Sequence, residues 1–269
     1  MAELVGAFAT SHVLFGSPVG DDQALRVVDG MNEIGRRVRA LDPDLLVVVG
    51  SDHLFNITTK LQPPFTVGVS DTFTPFGDMD IERRPFPGHR AFAQALCRRA
   101  ADSFDLAQAE ELRPDHGVMV PLMFVNPEGT TPVVPLLVNT NMDPAPSPAR
   151  CAALGEVVAR TVAEDLPAEV RVVALATGGL SHWINLPRHG EVNAAFDERV
   201  IEALASGDLG DLSGMGVPEL LDQAGNGGLE IVNWIMVAAM AAGRGWRGER
   251  IYYEPMPQWM TGMGGMAFR

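Results

Sequence analysis

The chain has 269 residues, of which 46% are hydrophobic and 20% are charged, and its formal net charge at pH 7 is −14. These proportions are typical of a globular protein long enough to bury a substantial core, and they argue against a disordered or fibrous chain. Because no Lys/Arg-rich tract offsets the negative charge, neither nucleic acid nor a membrane is expected as a partner.

Cysteine usage and the start of the chain indicate a reducing compartment. Only Cys97 and Cys151 occur, which suggests neither a disulfide framework nor a thiolate metal site. The first residues lack the positive charge and long apolar core of a signal peptide, and the longest apolar run, 231–242, is too short to span a bilayer. A cytoplasmic protein is therefore expected.

Hydrophobic patterning predicts strands that alternate with helices. Short apolar runs bounded by Gly or Pro indicate strands, and apolar residues spaced three and four apart indicate amphipathic helices. The predicted strands are residues 4–9, 45–49, 56–60, 65–69, 133–138 and 170–176. The predicted helices are 21–41, 90–101, 148–164, 191–205, 218–224 and one that starts at Leu229.

Three further segments, 15–20, 72–88 and 207–216, are predicted to be loops or linkers because they are rich in Gly, Pro and charge. Pro135 argues against a fully paired central position for the strand that contains it. The order of elements predicts an α/β fold: a single domain over 1–269 with a central mixed β-sheet flanked by helices on both faces.

Three predicted strands run into a histidine, namely His12, His53 and His182. In open α/β sheets, ligands bind in the crevice beyond the carboxyl ends of the strands, so these histidines are candidates for chemistry. His89 and His189 stand in polar, arginine-containing contexts, which favours solvated side chains for both.

Glu230 precedes the most apolar helix of the chain. A buried carboxylate requires a cation or several hydrogen-bond donors, but the first turn of a helix also favours an anion, and the two explanations are equally good. Two histidines and one carboxylate would form the facial triad of non-haem Fe(II) oxygenases. A zinc hydrolase could be built from the same atoms, so the residue types leave both open.

Six short motifs occur in a distinctive order and spacing along nearly the whole chain. They are Ser11-His12, Ser51-Asp52-His53, Asp115-His116-Gly117, and the segments 178–182, 230–234 and 252–259. Each motif is weak alone, but together they are specific. The sequence resembles the class III extradiol ring-cleavage dioxygenases, the family of the catalytic subunit of protocatechuate 4,5-dioxygenase and of 2,3-dihydroxyphenylpropionate 1,2-dioxygenase.

This resemblance implies that His12, His53 and Glu230 bind Fe(II), that His182 is an acid/base residue, and that His116 is a second proton-transfer residue. The implied roles agree with elementary chemistry. A catechol must lose protons to chelate a metal through both oxygens, and an imidazole that titrates near neutrality can accept one and later return it.

The implied substrates are O2 and a small aromatic diol: a protocatechuate-, gallate- or dihydroxyphenylpropionate-like compound, or an aminophenol or dihydroxypyridine analogue. Asn56, Phe76 and Trp183 are candidate substrate contacts. A homo-oligomer and a small helical partner subunit are also expected. A zinc-dependent hydrolase on the same scaffold and a non-catalytic binding protein are the alternatives.

Overall fold

A large mixed sheet organises the computed structural model, which describes residues 2–14 and 21–269. The predicted loop over 15–20 lies outside the described residues. The strands are β1 (Glu3–Thr10), β2 (Leu45–Gly50), β3 (Phe65–Gly68), β4 (Thr72–Phe73), β5 (Phe86–Pro87), β6 (Leu106–Ala109), β7 (Val133–Val138), β8 (Arg171–Thr177), β9 (Gly248–Met256) and β10 (Thr261–Phe268).

Helices connect most of these strands. They are α1 (Asp22–Ala40), α2 (Arg90–Ala100), α3 (His116–Val125), α4 (Pro148–Asp165), α5 (Ala194–Ser206), α6 (Gly210–Gly214), α7 (Val217–Ala224) and α8 (Ile231–Ala242), with 3-10 turns at Asp78–Asp80, Gly227–Glu230 and Pro257–Trp259. The predicted starts of α1 and α4 agree with their caps, whereas the helix predicted from residue 191 begins at Ala194. Asp21 accepts hydrogen bonds from two backbone N–H groups of α1, and Ser147 accepts one from α4.

Eight strands of the described chain pair in the order β6-β3-β7-β2-β8-β1-β10-β9. The central four, β7, β2, β8 and β1, are parallel, whereas β3 and β10 run antiparallel to their inner neighbours. Because β2, β8 and β1 are parallel neighbours, their carboxyl ends meet at one edge of the sheet, which brings together the three segments that carry His53, His182 and His12.

Side-chain alternation along the strands builds one apolar core on each face of the sheet. Val47 and Val49 of β2 belong to the core that α2, α4, α5 and α8 cover. Leu46 and Val48 of the same strand belong to the core that α1 and α3 cover. The predicted α/β architecture, with a mixed sheet and helices on both faces, is confirmed, while the domain limits 1–269 stay a prediction.

Several predicted elements were wrong or incomplete. Residues 56–60 form no strand, because Asp52 draws the backbone N–H groups of Asn56 and Ile57 into a turn. The predicted loop 72–88 contains the β4–β5 pair and a 3-10 turn. Residues 207–216, predicted as a linker, include α6.

Strand β7 is central despite Pro135. It pairs with β2 along its length, but its ladder with β3 covers only residues 136–138. Pro135 therefore lies outside the β3–β7 ladder, where a residue without an N–H would leave a hydrogen bond unmade. The last two strands, β9 and β10, were not predicted, because the Gly- and Met-rich tail has no clear alternation. Within residues 2–14 and 21–269, no helix combines the length and apolarity needed to cross a membrane.

Candidate metal centre and active site

His12 is the second residue after β1 and lies in the interior, with 2% of its surface exposed. Ser11, the preceding residue, holds it against β10. Ser11 donates its backbone N–H to Gly264 O at 2.9 Å, and its hydroxyl accepts from Gly264 N at 2.9 Å. These two bonds set the position of His12 relative to β10.

Glu230 ends the 3-10 turn before α8 and points toward two of the predicted strand-end histidines. Its two carboxylate oxygens lie 3.6 Å from His12 Nε2 and 3.6 Å from His53 Nε2, and Gly179 donates its N–H to the carboxylate at 2.8 Å. Glu230 packs so closely on Gly178 (φ 140°) that a Cβ at this glycine would lie 2.6 Å from the Glu230 Cβ. A side chain there would push the carboxylate out of place.

His53 and His116 are each held by an aspartate through the same pair of bonds. Asp115 accepts from the His53 backbone N–H at 2.8 Å and lies 3.1 Å from His53 Nδ1. Asp78 accepts from the His116 backbone N–H at 3.1 Å and lies 2.5 Å from His116 Nδ1. The two imidazole rings stack with their centroids 4.0 Å apart.

The described residues contain one cluster of histidine and carboxylate groups that could hold a metal ion through three side chains. Its members are His12, His53 and His116, whose ligand atoms lie within 4.8 Å of one another. Glu230 adjoins this cluster through the two 3.6 Å separations. A separation of 3.6 Å is longer than a hydrogen bond and suits two atoms bound to one ion.

The donor set fits a divalent metal. His12 Nδ1 is buried and has no hydrogen-bond partner among residues 2–14 and 21–269, so the environment does not provide for a charged imidazole. Neutral imidazole nitrogen and carboxylate oxygen are the ligands of the two-histidine, one-carboxylate sites that leave positions open for a substrate. His12, His53 and Glu230 supply such a set, and His116 is a fourth group within reach.

Burial controls the charges of this site. It lowers the pKa of His12 well below its usual value, with further lowering by the nearby His53. Burial raises the pKa of Glu230 to about 7, although His53 and the Gly179 N–H oppose it. Burial also acts on His53, but the hydrogen bond to Asp115 and the charge of Glu230 outweigh it and raise the pKa of His53 to about 9.

His182 lies in the loop after β8, away from the stacked pair. Its Nδ1 donates to Leu180 O at 2.7 Å, which leaves Nε2 as the nitrogen that can accept a proton. Burial lowers the pKa of His182 to about 4, so the ring is neutral at pH 7. The Nε2 atom rests on Gly227, where an added Cβ would overlap it.

A buried carboxylate supports the His182 loop from behind. Asp197 accepts from the Ser181 N–H at 2.8 Å, from the Ser181 hydroxyl at 2.9 Å and from the Tyr253 hydroxyl at 2.8 Å. Because no cation is among these donors, burial raises the pKa of Asp197 to about 6. The network ties His182 to α5 and β9.

The predicted substrate contacts differ in availability. The Asn56 side-chain amide hydrogen-bonds to Asp52 and to the backbone of Arg113, so it links the loop after β2 to the segment before α3. Trp183 is 5% exposed beneath the Arg188 guanidinium. Phe76 is only partly buried and stacks on Phe55 with ring centroids 4.1 Å apart. Substrate contact by any of the three stays a prediction.

Three aspartates of the site, Asp78, Asp115 and Asp197, received no role from the sequence. Asp115 carried a usable signal, because an aspartate directly before a helix is a typical N-cap, and it does cap α3 through the Gly117 N–H. Asp78 and Asp197 act across 38 and 16 residues of chain, and no local pattern marks such contacts.

Comparison with known proteins agrees with this geometry. A family model described as the catalytic LigB subunit of aromatic ring-opening dioxygenase matches residues 6–264. The chain belongs to the LigB family. It is therefore a ring-cleavage dioxygenase of the class III extradiol type, and the family resemblance inferred from the sequence is confirmed. Neither a zinc hydrolase nor a non-catalytic binding protein is favoured by this membership.

Relatives named 2,3-dihydroxyphenylpropionate/2,3-dihydroxicinnamic acid 1,2-dioxygenase match the LigB-family chain along nearly its whole length. The protein of Klebsiella pneumoniae is 27% identical over 308 residues, which covers 96% of each chain. The protein of Rhodococcus sp. is 27% identical over 308 residues, covering 97% of this chain and 96% of the relative. The protein of Escherichia coli strain SMS-3-5 is 28% identical over 311 residues, covering 96% and 98%.

Among solved structures, the crystal structure of an uncharacterized protein from Escherichia coli K12 is similar to this LigB-family chain with a TM-score of 0.65. The two are 17% identical, and the match covers 97% of this chain and 98% of the other. This likeness supports the fold.

Proposed function

We propose that this LigB-family chain is an Fe(II)-dependent dioxygenase that opens a small catechol-type ring beside its two hydroxyl groups and incorporates both atoms of O2. The observation that carries the proposal is the Glu230 carboxylate, which lies between two histidine Nε2 atoms at 3.6 Å from each. His12, His53 and Glu230 would hold the metal. Bound iron would act as a Lewis acid and redox centre that holds the diol and O2 side by side.

His182 would accept a proton from the diol. Its Nδ1 is committed to the Leu180 carbonyl, and the ring is neutral at pH 7, so Nε2 is in the form that can take a hydroxyl proton. Burial also lowers the pKa of His116, whose Nδ1 is bonded to Asp78, so its Nε2 is the second proton-transfer atom. Two neutral bases suit a substrate that must lose a proton and a product oxygen that must gain one.

The names of the relatives favour a dihydroxyphenylpropionate-type substrate for this chain, ahead of protocatechuate, gallate, an aminophenol or a dihydroxypyridine. Phe76 is the best placed of the three predicted substrate contacts, because its ring is partly exposed and it lies two residues before Asp78. A cytoplasmic location, a homo-oligomer and a small helical partner subunit stay predictions.

The proposal is tested with protein purified without air. Metal content is measured per chain, and O2 uptake is measured with 2,3-dihydroxyphenylpropionate, protocatechuate and gallate, together with the absorbance of the ring-opened product. We expect iron at one per chain and uptake with at least one of the diols. Glu230→Ala should lose both, whereas Glu219→Ala, an exposed residue of α7, should keep both. A Glu230→Ala protein that retains iron and consumes O2 with a diol would contradict the assignment.

A further inference from the structure

Asp78 makes an unusually complete contact with His116 for a residue of a surface loop. Its Oδ2 atom lies 2.5 Å from His116 Nδ1, and the His116 backbone N–H donates to Oδ1 at 3.1 Å and to Oδ2 at 3.3 Å. The Asp78 side chain is 12% exposed and that of His116 is 16% exposed. The contact is therefore largely shielded from water, where a hydrogen bond to a charged group is most effective.

The backbone around Asp78 is held in uncommon conformations. Gly77 (φ 85°), Met79 (φ 51°) and Asp80 (φ 59°) all lie in the left-handed region, which non-glycine residues rarely adopt. The Met79 side chain is 43% exposed, so burial of that side chain does not explain the turn. Strained backbone of this kind persists only where surrounding contacts hold it in place. In this turn, the contact is the one between the Asp78 carboxylate and His116.

The contact has a close counterpart in the same site. Asp115 bonds both the backbone N–H and the Nδ1 atom of His53, as Asp78 does for His116. On the neutral His116 ring, Asp78 accepts from Nδ1 and so leaves Nε2 without a proton, whereas at His53 the same kind of contact orients the ring toward Glu230. The His116 ring stacks on His53 and lies 5.4 Å from the His12 ring, so its Nε2 is the nitrogen available to the cluster.

We propose that Asp78 is the positioning residue of His116: it fixes the tautomer and the ring orientation that present the Nε2 lone pair to the bound substrate. The proposal rests on the proposed function, in which His116 transfers a proton. Asp78 acts through His116 and touches neither substrate nor metal. Without it, the ring could turn or carry its proton on Nε2, and the acceptor atom would be lost.

The experiment compares Asp78→Ala, Asp78→Asn and the control Glu82→Ala in the 269-residue chain. Glu82 lies in the same loop outside the left-handed stretch, is exposed, and makes no side-chain hydrogen bond or ion pair within the described chain. Asparagine can still accept from Nδ1 through one oxygen, so it should restore part of the effect. Turnover, KM for the diol and iron per chain are measured, and the histidine tautomers are read from 15N NMR of the chain loaded with diamagnetic Zn(II).

We expect Asp78→Ala to lower turnover by about 10- to 100-fold, as partners of this kind do in metal sites. Iron content and KM should change less than threefold, Asp78→Asn should be intermediate, and Glu82→Ala should match the wild type. The NMR spectrum of Asp78→Ala should lose the Nδ1–H form of His116.

Three results would overturn the proposal: an unchanged His116 tautomer in Asp78→Ala, a turnover of Asp78→Ala equal to that of Glu82→Ala, or a loss of iron in proportion to the loss of turnover. A wild-type protein that opens none of the diols would instead contradict the proposed function. The NMR comparison distinguishes the two failures, because it tests the role of Asp78 without any turnover.

Discussion

Imidazole rings are held in place by different contacts on the buried side of the site and on its more exposed side. On the buried side, the His12 and Glu230 side chains are 2% and 5% exposed, and His12 makes no hydrogen bond to a carboxylate among the described residues. On the open side, the His53 and His116 side chains are 30% and 16% exposed, and an aspartate holds each ring. Packing holds the buried His12 ring without a carboxylate acceptor, whereas an aspartate holds each of the two rings that water can reach.

Removing one histidine from each side is the strongest test of the difference between the two sides. His12→Ala should abolish iron retention and lower O2 uptake by at least about 1000-fold, because His12 and Glu230 are the proposed metal ligands on the buried side. His116→Ala should lower turnover by about 100-fold while iron stays at one per chain, because a proton-transfer residue contributes about that much. Iron content and O2 uptake of both variants provide the measurement.

His116 lies within ligand distance of His12 and His53, so this pair of variants also decides its role. Loss of iron from His116→Ala to the extent seen with His12→Ala would make His116 a metal ligand and remove it from proton transfer.

Asp115→Asn tests the open side through the partner of His53. Asparagine weakens the bond to Nδ1, so we expect iron affinity to fall by about 10- to 100-fold. Asparagine also has one oxygen where Asp115 uses two, for the Gly117 N–H and for His53, so the loss of one hydrogen bond should cost about 1 kcal/mol of folding stability. Iron titration and thermal unfolding measure the two effects. Asp102→Asn, at an exposed position, is the control, and an iron affinity equal to that of the control would contradict the role of Asp115.

Gly227→Ala tests His182, a further buried histidine, which is held by the Leu180 carbonyl and by packing on Gly227. The new Cβ would overlap His182 Nε2, so the ring must move, and we expect turnover to fall by about 10-fold. Gly214→Ala is the matched control, because a Cβ there meets no atom within 4 Å. Equal turnover in the two variants would show that His182 Nε2 is not the proton acceptor.

The smallest effect concerns Asp197, whose pKa is raised by burial to about 6. A raised carboxyl pKa means that the fold favours the protonated form, so this stability is complete below the pKa of unfolded aspartate and is lost as the pH rises through about 6. Between pH 5 and pH 7.5, the wild type should lose about 1 kcal/mol more stability than Asp197→Asn. Thermal unfolding of both at several pH values measures this. Parallel pH profiles would contradict it.

Much of the site could be predicted because each key side chain follows a strong local signal. Apolar runs that end at a histidine identified the segments of His12, His53 and His182, and the apolar helix after Glu230 indicated that its carboxylate is buried. Adjacency of β2, β8 and β1 then brought these segments together. The ligand and acid/base roles came from the family resemblance.

What could not be predicted depends on contacts between distant parts of the chain. Pro135 counted against a central strand, yet the ladder with β3 stops one residue short of it. The strands of the tail are fixed by pairing rather than by alternation, since Gly264 and Gly265 lie against the bulky side chains of Trp234 and Tyr252. Asp78 reaches His116 through a turn whose left-handed residues carry no sequence signature.

The pairing of Ser11 with Gly264 has a consequence for biosynthesis. Ser11 is held by a residue that is synthesised 253 positions later. We expect that a growing chain cannot assemble this pocket until residue 264 has been translated, since a domain folds as a unit. Metal capture would then follow synthesis of β10, and a chain that stops before this strand would carry no oxygen-activating centre.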